Sequence, residues 1–315
     1  MNWMTVAMQL GDRIVYMVSN GHRGIIIALN NGLCVLDCEI CGYAHIDPLP
    51  EQSAVNAYYE QDEFYRTHGP KGWLANEWVE NTNGLWDSAY EYQSRLLRHY
   101  GAQSLVDVGC GTGWFIEYYS RMHFALAAGI EPSMIARGWS SIMVEDAIYP
   151  DYDSLLEDGW QKSHTSSLRM ALVMEHVLNP RAVLVDSINR YVGHDGVVML
   201  IVPNEFNPLQ RKLVRRIGYD WYVQKPHINY FSKDSLRDLV ESSGLRVVHQ
   251  SGTFPIELYH LLGWHYIGNE TIGQKCHRNR LHFERKAGII AWKTYELLYK
   301  LLGWGRESIL VAKRY

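Results

Sequence analysis

The stretch Val106-Asp107-Val108-Gly109-Cys110-Gly111-Thr112-Gly113 decides how the rest of the chain is read. A short apolar run passes into three closely spaced glycines, and Trp114 to Arg121 continues with the spacing of an amphipathic helix. Glycine turns the backbone sharply and lets a ligand approach where a Cβ would block it, so strand, glycine turn and helix together are the pattern of a nucleotide-type cofactor site. The next apolar run, Phe124 to Glu131, ends in Gly129-Ile130-Glu131. Glu131 lies 22 residues after Gly109, the spacing at which an acid on the second strand meets a ribose.

Two details separate this turn from a nicotinamide fingerprint. The position that needs a third, helix-packing glycine holds Trp114, whose bulk obstructs the close approach used by pyrophosphate. Asp107, two residues before the first glycine, would repel a pyrophosphate but attract the cationic amino group of a methionine moiety.

Working outward, apolar runs recur at SLVDVG, FALAAGIE, SIMVED, LRMALVM, GVVMLIVP, LRVVHQS and ESILVAKR, most of them separated by helix-compatible segments. This alternation predicts a parallel sheet covered on both faces. More than fifty residues, Gly252 to Arg306, lie between the sixth and seventh runs, too many for a plain connection, so helices are expected there, covering the site. Within that insert, Gly288 to Trp304 reads as an amphipathic helix packed on the domain. Upstream, residues 13–46 read as short strands and residues 52–99 as mostly helical.

The run D-V-G-C-G-T-G with a later acidic strand end resembles the class I S-adenosylmethionine-dependent methyltransferases. Ordered matches follow: Met174-Glu175-His176-Val177-Leu178-Asn179-Pro180, Val202-Pro203-Asn204, and Pro226-His227-Ile228-Asn229-Tyr230-Phe231. One departure is that the fourth strand usually begins with an aspartate, absent from Ser167-Leu168-Arg169-Met170. The resemblance implies S-adenosyl-L-methionine as cofactor. Asp107 would hold its methionine end, with Gly109, Cys110, Gly111, Thr112 and Gly113 passing beneath it. Glu131 would accept the ribose hydroxyls, Pro132 and Met134 would line the adenine, Asp146 would meet the adenine amino group, and Met174 would stand beside the site. A hydroxyl or carbon acceptor profits from a general base, and the resemblance places His227 and His176 near the cofactor mouth. The insert leaves the sixth strand at the edge where ligands sit in an open α/β sheet, so its Glu257, His260, His265 and Tyr266 are expected to shape the acceptor pocket.

The expected fold is α/β: a Rossmann-like, doubly wound, seven-stranded and mostly parallel sheet with its last strand antiparallel, a small β-rich N-terminal segment, and a helical insert before the last strand. Residues 51–103 form a helical cap or linker, and residues 104–315 the methyltransferase domain with the insert at 252–306. Residues 1–50 resemble the zinc-ribbon segment found ahead of some methyltransferases of sugar and natural-product pathways. Cys38-Glu39-Ile40-Cys41 is one knuckle, but the usual upstream C-x-x-C is missing, so a degenerate, metal-free ribbon is expected. The alternative is zinc held by Cys34, Cys38, Cys41 and either His22 or His45.

With 47% hydrophobic residues, 20% charged residues and a net charge of −4, the 315-residue chain has the balance of a globular protein and lacks the basic stripe of a nucleic-acid binder. No run reaches the length of a membrane span and no signal peptide is read at the N-terminus, so the cytoplasm is the expected compartment. The expected partner is a small-molecule acceptor, a sugar or glycan precursor by resemblance, with homodimerisation left open. Two rival readings share the fold: aminopropyl transfer from a related cofactor, and a non-catalytic binding module.

Overall fold

The computed structural model describes residues 6–10, 13–17, 21–30, 32–60, 73–140, 143–160 and 166–314. Its strands are β1 (Val6–Leu10), β2 (Arg13–Met17), β3 (Arg23–Asn30), β4 (Leu33–Cys38), β5 (Ala44–Asp47), β6 (Leu105–Val108), β7 (Ala127–Ile130), β8 (Ile148–Tyr149), β9 (Ser167–Ala171), β10 (Val197–Pro203), β11 (Asn229–Tyr230), β12 (Leu245–Gly252) and β13 (Glu307–Arg314). Its α-helices are α1 (Gln52–Glu60), α2 (Trp73–Thr82), α3 (Asp87–His99), α4 (Trp114–His123), α5 (Met134–Arg137), α6 (Tyr152–Glu157), α7 (Pro180–Tyr191), α8 (Pro208–Ile217), α9 (Lys233–Glu241), α10 (Glu257–Leu261), α11 (Glu270–Ala287) and α12 (Ile289–Leu302).

The apolar runs build a seven-stranded sheet in the order β12–β13–β10–β9–β6–β7–β8, in which only β13 runs antiparallel to its neighbours. Its residues obey the strand period of two. Val198, Leu200 and Val202 enter one buried cluster with Leu184 and Ile188 of α7 and Leu236 and Leu239 of α9. Val197, Met199 and Ile201 enter another with Tyr92 of α3, Phe115 and Ile116 of α4, and Trp292 of α12. Both faces must be apolar because both are covered, which is why β10 reads as an unbroken hydrophobic run. The α/β fold class, its antiparallel last strand and its N-terminal β segment are as expected.

One strand falls elsewhere than expected. SIMVED lies partly outside the described residues, and its described part is not a strand: Glu145–Ala147 form a 3-10 turn, and the strand is Ile148–Tyr149. Val144 and Ile148 lie beneath the glycine turn, where a Cβ on Gly113 would stand 3.1 Å and 2.6 Å from them. That packing takes Val144 out of the ladder.

The insert holds α10, α11 and α12. Helix α12 lies against the sheet, with Trp292 stacked on Tyr92 at 4.8 Å and donating from Nε1 to Ser88 Oγ at 2.9 Å. Ile290, Leu297 and Leu301 on α12 stay exposed. The N-terminal strands form an antiparallel sheet in the order β1–β2–β3–β4–β5–β11. Its edge strand β11 comes from the segment just after His227, and Asn229 pairs with His45. The two halves of the chain are thus sewn together beside the predicted catalytic histidines.

Candidate active site

The glycine turn leaves β6 with positive φ at Gly109 (70°), Gly111 (57°) and Gly113 (80°), values that favour glycine. A Cβ on Gly109 would stand 2.5 Å from Val173 Cγ2. The backbone of the turn is tied to the end of β7: Gly109 N–H donates to Ile130 O at 2.7 Å, and Gly111 N–H to Glu131 Oε2 at 2.9 Å. Ser133 N–H donates to Glu131 Oε1, also at 2.9 Å, so each carboxylate oxygen is held by a backbone N–H. Glu131 is 6% exposed, and its place against the turn fits the ribose of a nucleoside cofactor.

Asp107, in β6, is paired within the sheet. It is buried, and Arg169 Nη1 donates to its Oδ2 at 2.7 Å. Arg169 also donates from Nε and Nη2 to Gln93 Oε1 at 3.1 and 2.9 Å, and its guanidinium lies 4.1 Å from the Phe115 ring centre. Burial pushes the Asp107 pKa up to about 6, with Arg169 opposing, so the carboxylate is ionised at neutral pH and its charge is already matched. Its Oδ1 has no hydrogen-bond partner among the described residues. The Met174 side chain is fully buried in the core, and its carbonyl accepts from Asn229 Nδ2 at 3.0 Å.

The remaining turn residues have defined places. Cys110 sits under β7, where a Cβ on Gly129 would meet its Sγ at 2.4 Å, and burial raises its thiol pKa. Thr112 Oγ1 donates to Glu77 Oε1 at 3.0 Å. Pro132, Met134 and Asp146 are exposed after β7 and before β8.

A second group converges beyond the strand ends. One ligand-capable atom from each of Glu175, His176 and His227 lies within 4.8 Å of the others. The His176 and His227 rings are 5.1 Å apart, and His176 Nδ1–H donates to Pro226 O at 3.4 Å. His227 Nδ1–H donates to Glu205 Oε1 at 3.0 Å. Backbone bonds fix the arrangement: Glu175 O accepts from Ile228 N–H at 2.7 Å and from Asn229 N–H at 3.0 Å. Burial pulls the His227 pKa down, but the charge and hydrogen bond of Glu205, helped by Glu175, outweigh it and the net direction is upward. Burial pushes Glu175 up to about 8 against the pull of His227, and it raises Glu205 as well. In the insert, Glu257 is buried, while His260 and His265 pair with each other, Nε2 to Nδ1, at 3.2 Å.

Three acids and a tyrosine here escape a reading by motif. Glu205 directly follows Val202-Pro203-Asn204, and an acid just past a parallel strand's carboxyl end was a usable signal. Glu77 and Glu80 stand on α2, and nothing local marks them. Burial pushes Glu77 up to about 7 although Thr112 stabilises its charge, whereas Glu80 accepts from Trp86 Nε1 and pairs with His277 Nε2, each at 3.1 Å. Tyr59 on α1 packs 5.9 Å from the His176 ring, and burial, with smaller contributions from Tyr58, Glu175 and Glu131, raises its phenol pKa.

This strand order with a glycine turn at the first parallel strand is that of class I methyltransferases. The model of the methyltransferase domain family matches residues 78–250, so the chain belongs to that family. It is an S-adenosylmethionine-dependent methyltransferase, with S-adenosyl-L-methionine as its cofactor. No curated protein matches the sequence. Among solved structures, magnesium protoporphyrin IX methyltransferase from Synechocystis PCC 6803 is similar at 12% identity over 84% of this chain and 100% of that one, with a TM-score of 0.49. A SAM-dependent methyltransferase from Archaeoglobus fulgidus is similar at 16% identity over 71% and 94%, TM-score 0.45. Geranyl diphosphate C-methyltransferase from Streptomyces coelicolor A3(2) is similar at 13% over 71% and 78%, TM-score 0.44. Family membership rests on the sequence match and not on these distant likenesses. Among the described residues, no helix is long and apolar enough to cross a membrane.

Proposed function

We propose that this methyltransferase alkylates a hydroxyl or acidified carbon of a small-molecule acceptor, a sugar or glycan precursor, with His227 taking the acceptor's proton. The observation that carries this is the His227–Glu205 pair. Glu205 holds the Nδ1 proton at 3.0 Å and so leaves Nε2 as the basic nitrogen. His176 packs against the His227 ring and helps to orient it. When bound, the cofactor supplies a sulfonium methyl that is open to in-line attack. Glu131 would take the ribose hydroxyls, and the backbone from Gly109 to Gly113, including Cys110 and Thr112, would pass beneath the cofactor. Pro132 and Met134 would flank the adenine, and Asp146 would meet its amino group. Asp107 pairs with Arg169 through Oδ2 and keeps Oδ1 without a partner, so it would hold the methionine ammonium together with Glu77, which accepts from Thr112.

The acceptor class draws support from the surface beside Glu205. A groove there is lined by Phe206, Pro208, Arg211, Lys212 and Arg215, an aromatic edge with three cations. That combination suits a sugar carrying phosphates. The five free cysteines fit a reducing compartment, in keeping with the cytoplasm. The test is a methyl-transfer assay over free sugars, sugar phosphates and nucleotide sugars, with wild type and His227→Ala side by side. Turnover confined to phosphorylated sugars and lost in the variant supports the reading. Turnover that survives in the variant removes His227 as the base.

A further inference from the structure

The N-terminal sheet holds a side-chain cluster that methyl transfer does not use. One ligand-capable atom from each of His22, Cys38, Cys41 and His45 lies within 4.8 Å of the other three. His22 Nδ1 is 3.5 Å from Cys38 Sγ and 3.4 Å from Cys41 Sγ. Around a tetrahedral ion with Zn–N of about 2.0 Å and Zn–S of about 2.3 Å, the N···S edge is about 3.5 Å, so these separations are those of ligands sharing one zinc.

His45 completes the set. Its Nδ1–H donates to Ile46 O at 2.8 Å, which fixes the tautomer and leaves Nε2 with the lone pair. The residue is 1% exposed, and Nε2 has no hydrogen-bond partner among the described residues. A buried nitrogen left bare in this way costs free energy unless something binds it. The His22 and His45 rings meet edge to face at 4.7 Å.

We propose that His22, Cys38, Cys41 and His45 form a closed Cys2His2 zinc site with a structural role. The two thiolates would balance the charge of the ion, and four protein ligands leave no open position for chemistry. The ligands come from one end of adjacent elements. His22 precedes β3, Cys38 ends β4, Cys41 follows in a tight turn closed by Gly42 N–H to Cys38 O at 2.9 Å, and His45 lies in β5. The expectation of a metal-free ribbon rested on the missing upstream C-x-x-C. In the folded chain His22 and His45 take the place of that pair, and Cys34 is not part of the cluster. Because His45 is the register partner of Asn229, the ion would also fix the sheet edge that follows His227.

The experiment is elemental analysis of the full chain purified from zinc-supplemented medium, together with cobalt substitution. The expected result is about one zinc per chain and, with Co2+, thiolate-to-metal charge-transfer absorption with the strong visible bands of a tetrahedral site. Cys41→Ser and the milder His22→Gln should each lower bound zinc several-fold. Binding of S-adenosylhomocysteine, measured on the same samples, should persist in His22→Gln and so report an intact cofactor domain. Wild-type protein with no stoichiometric zinc after reconstitution and no charge-transfer band overturns the proposal, whatever the variants do. That outcome would leave the methyl-transfer reading untouched.

Discussion

Replacing Glu175 by Gln should make the protein more stable at alkaline pH and leave it nearly unchanged in acid. Glu175 is 1% exposed, neither carboxylate oxygen has a hydrogen-bond partner, and His176 Nε2 lies 3.7 Å from Oε1. Burial pushes its pKa from 4.5 up to about 8. The unfolded chain therefore loses this proton near its ordinary pKa while the folded chain keeps it. The contribution is fully present below about pH 4.5, falls as the pH rises toward the folded value, and is flat beyond it. Each unit between the two pKa values is worth about 1.4 kcal/mol, so the whole window amounts to roughly 3–5 kcal/mol. Glutamine copies the shape of the protonated acid and does not ionise in either state. Denaturant unfolding of both proteins between about pH 5 and about pH 8 should show the variant gaining most of that amount over wild type across the window. A stability difference that stays constant with pH would refute the claim that Glu175 is buried as a neutral acid.

Glu131→Ala should weaken S-adenosylhomocysteine binding by about 1.5–3 kcal/mol through the loss of two charge-assisted bonds to the ribose; calorimetric titration measures it, and an unchanged affinity takes Glu131 out of the site. His227→Ala should lower turnover roughly a hundredfold with cofactor affinity near wild type. Because the His227 pKa is raised, wild-type kcat should climb as the pH passes through a value above 6.5, while the stability lent by the protonated His227–Glu205 pair is full below 6.5 and is lost over that same rise; paired pH profiles of rate and unfolding check both signs. Arg169→Met should cost about 3–5 kcal/mol by leaving Asp107 buried and unpaired, and adding Asp107→Leu should recover much of it in denaturant unfolding.

The sheet was legible because a strand buried on both faces writes itself as an apolar run: β7 and β10 are unbroken, and β6, β9, β12 and β13 keep an apolar stretch around one or more polar residues. SIMVED failed for the same reason in reverse: Val144 is apolar because it lies under Gly113, not because it belongs to a ladder. Glu131 was legible because its distance from Gly109 is set by one strand–helix–strand unit. The partners of Asp107, Thr112 and His227 were not, since Arg169, Glu77 and Glu205 are brought in by other elements and carry no local period. Where the family favours an aspartate at the start of the fourth strand, Ser166 Oγ accepts from Gln103 N–H at 2.6 Å and from Ser104 N–H at 2.8 Å.

Asp107 and Arg169 are also direct register partners on the parallel strands β6 and β9. Most rungs of that ladder are interchangeable hydrocarbons and would tolerate being zipped in a neighbouring frame. A slip of one residue turns every side chain to the opposite face, and here it would strand a carboxylate and a guanidinium on opposite sides of the sheet, each buried without its counter-charge. Such a frame is penalised by several kcal/mol. The centre of this sheet therefore carries its own proofreading: one ionic rung that closes in a single alignment, laid down before any cofactor arrives.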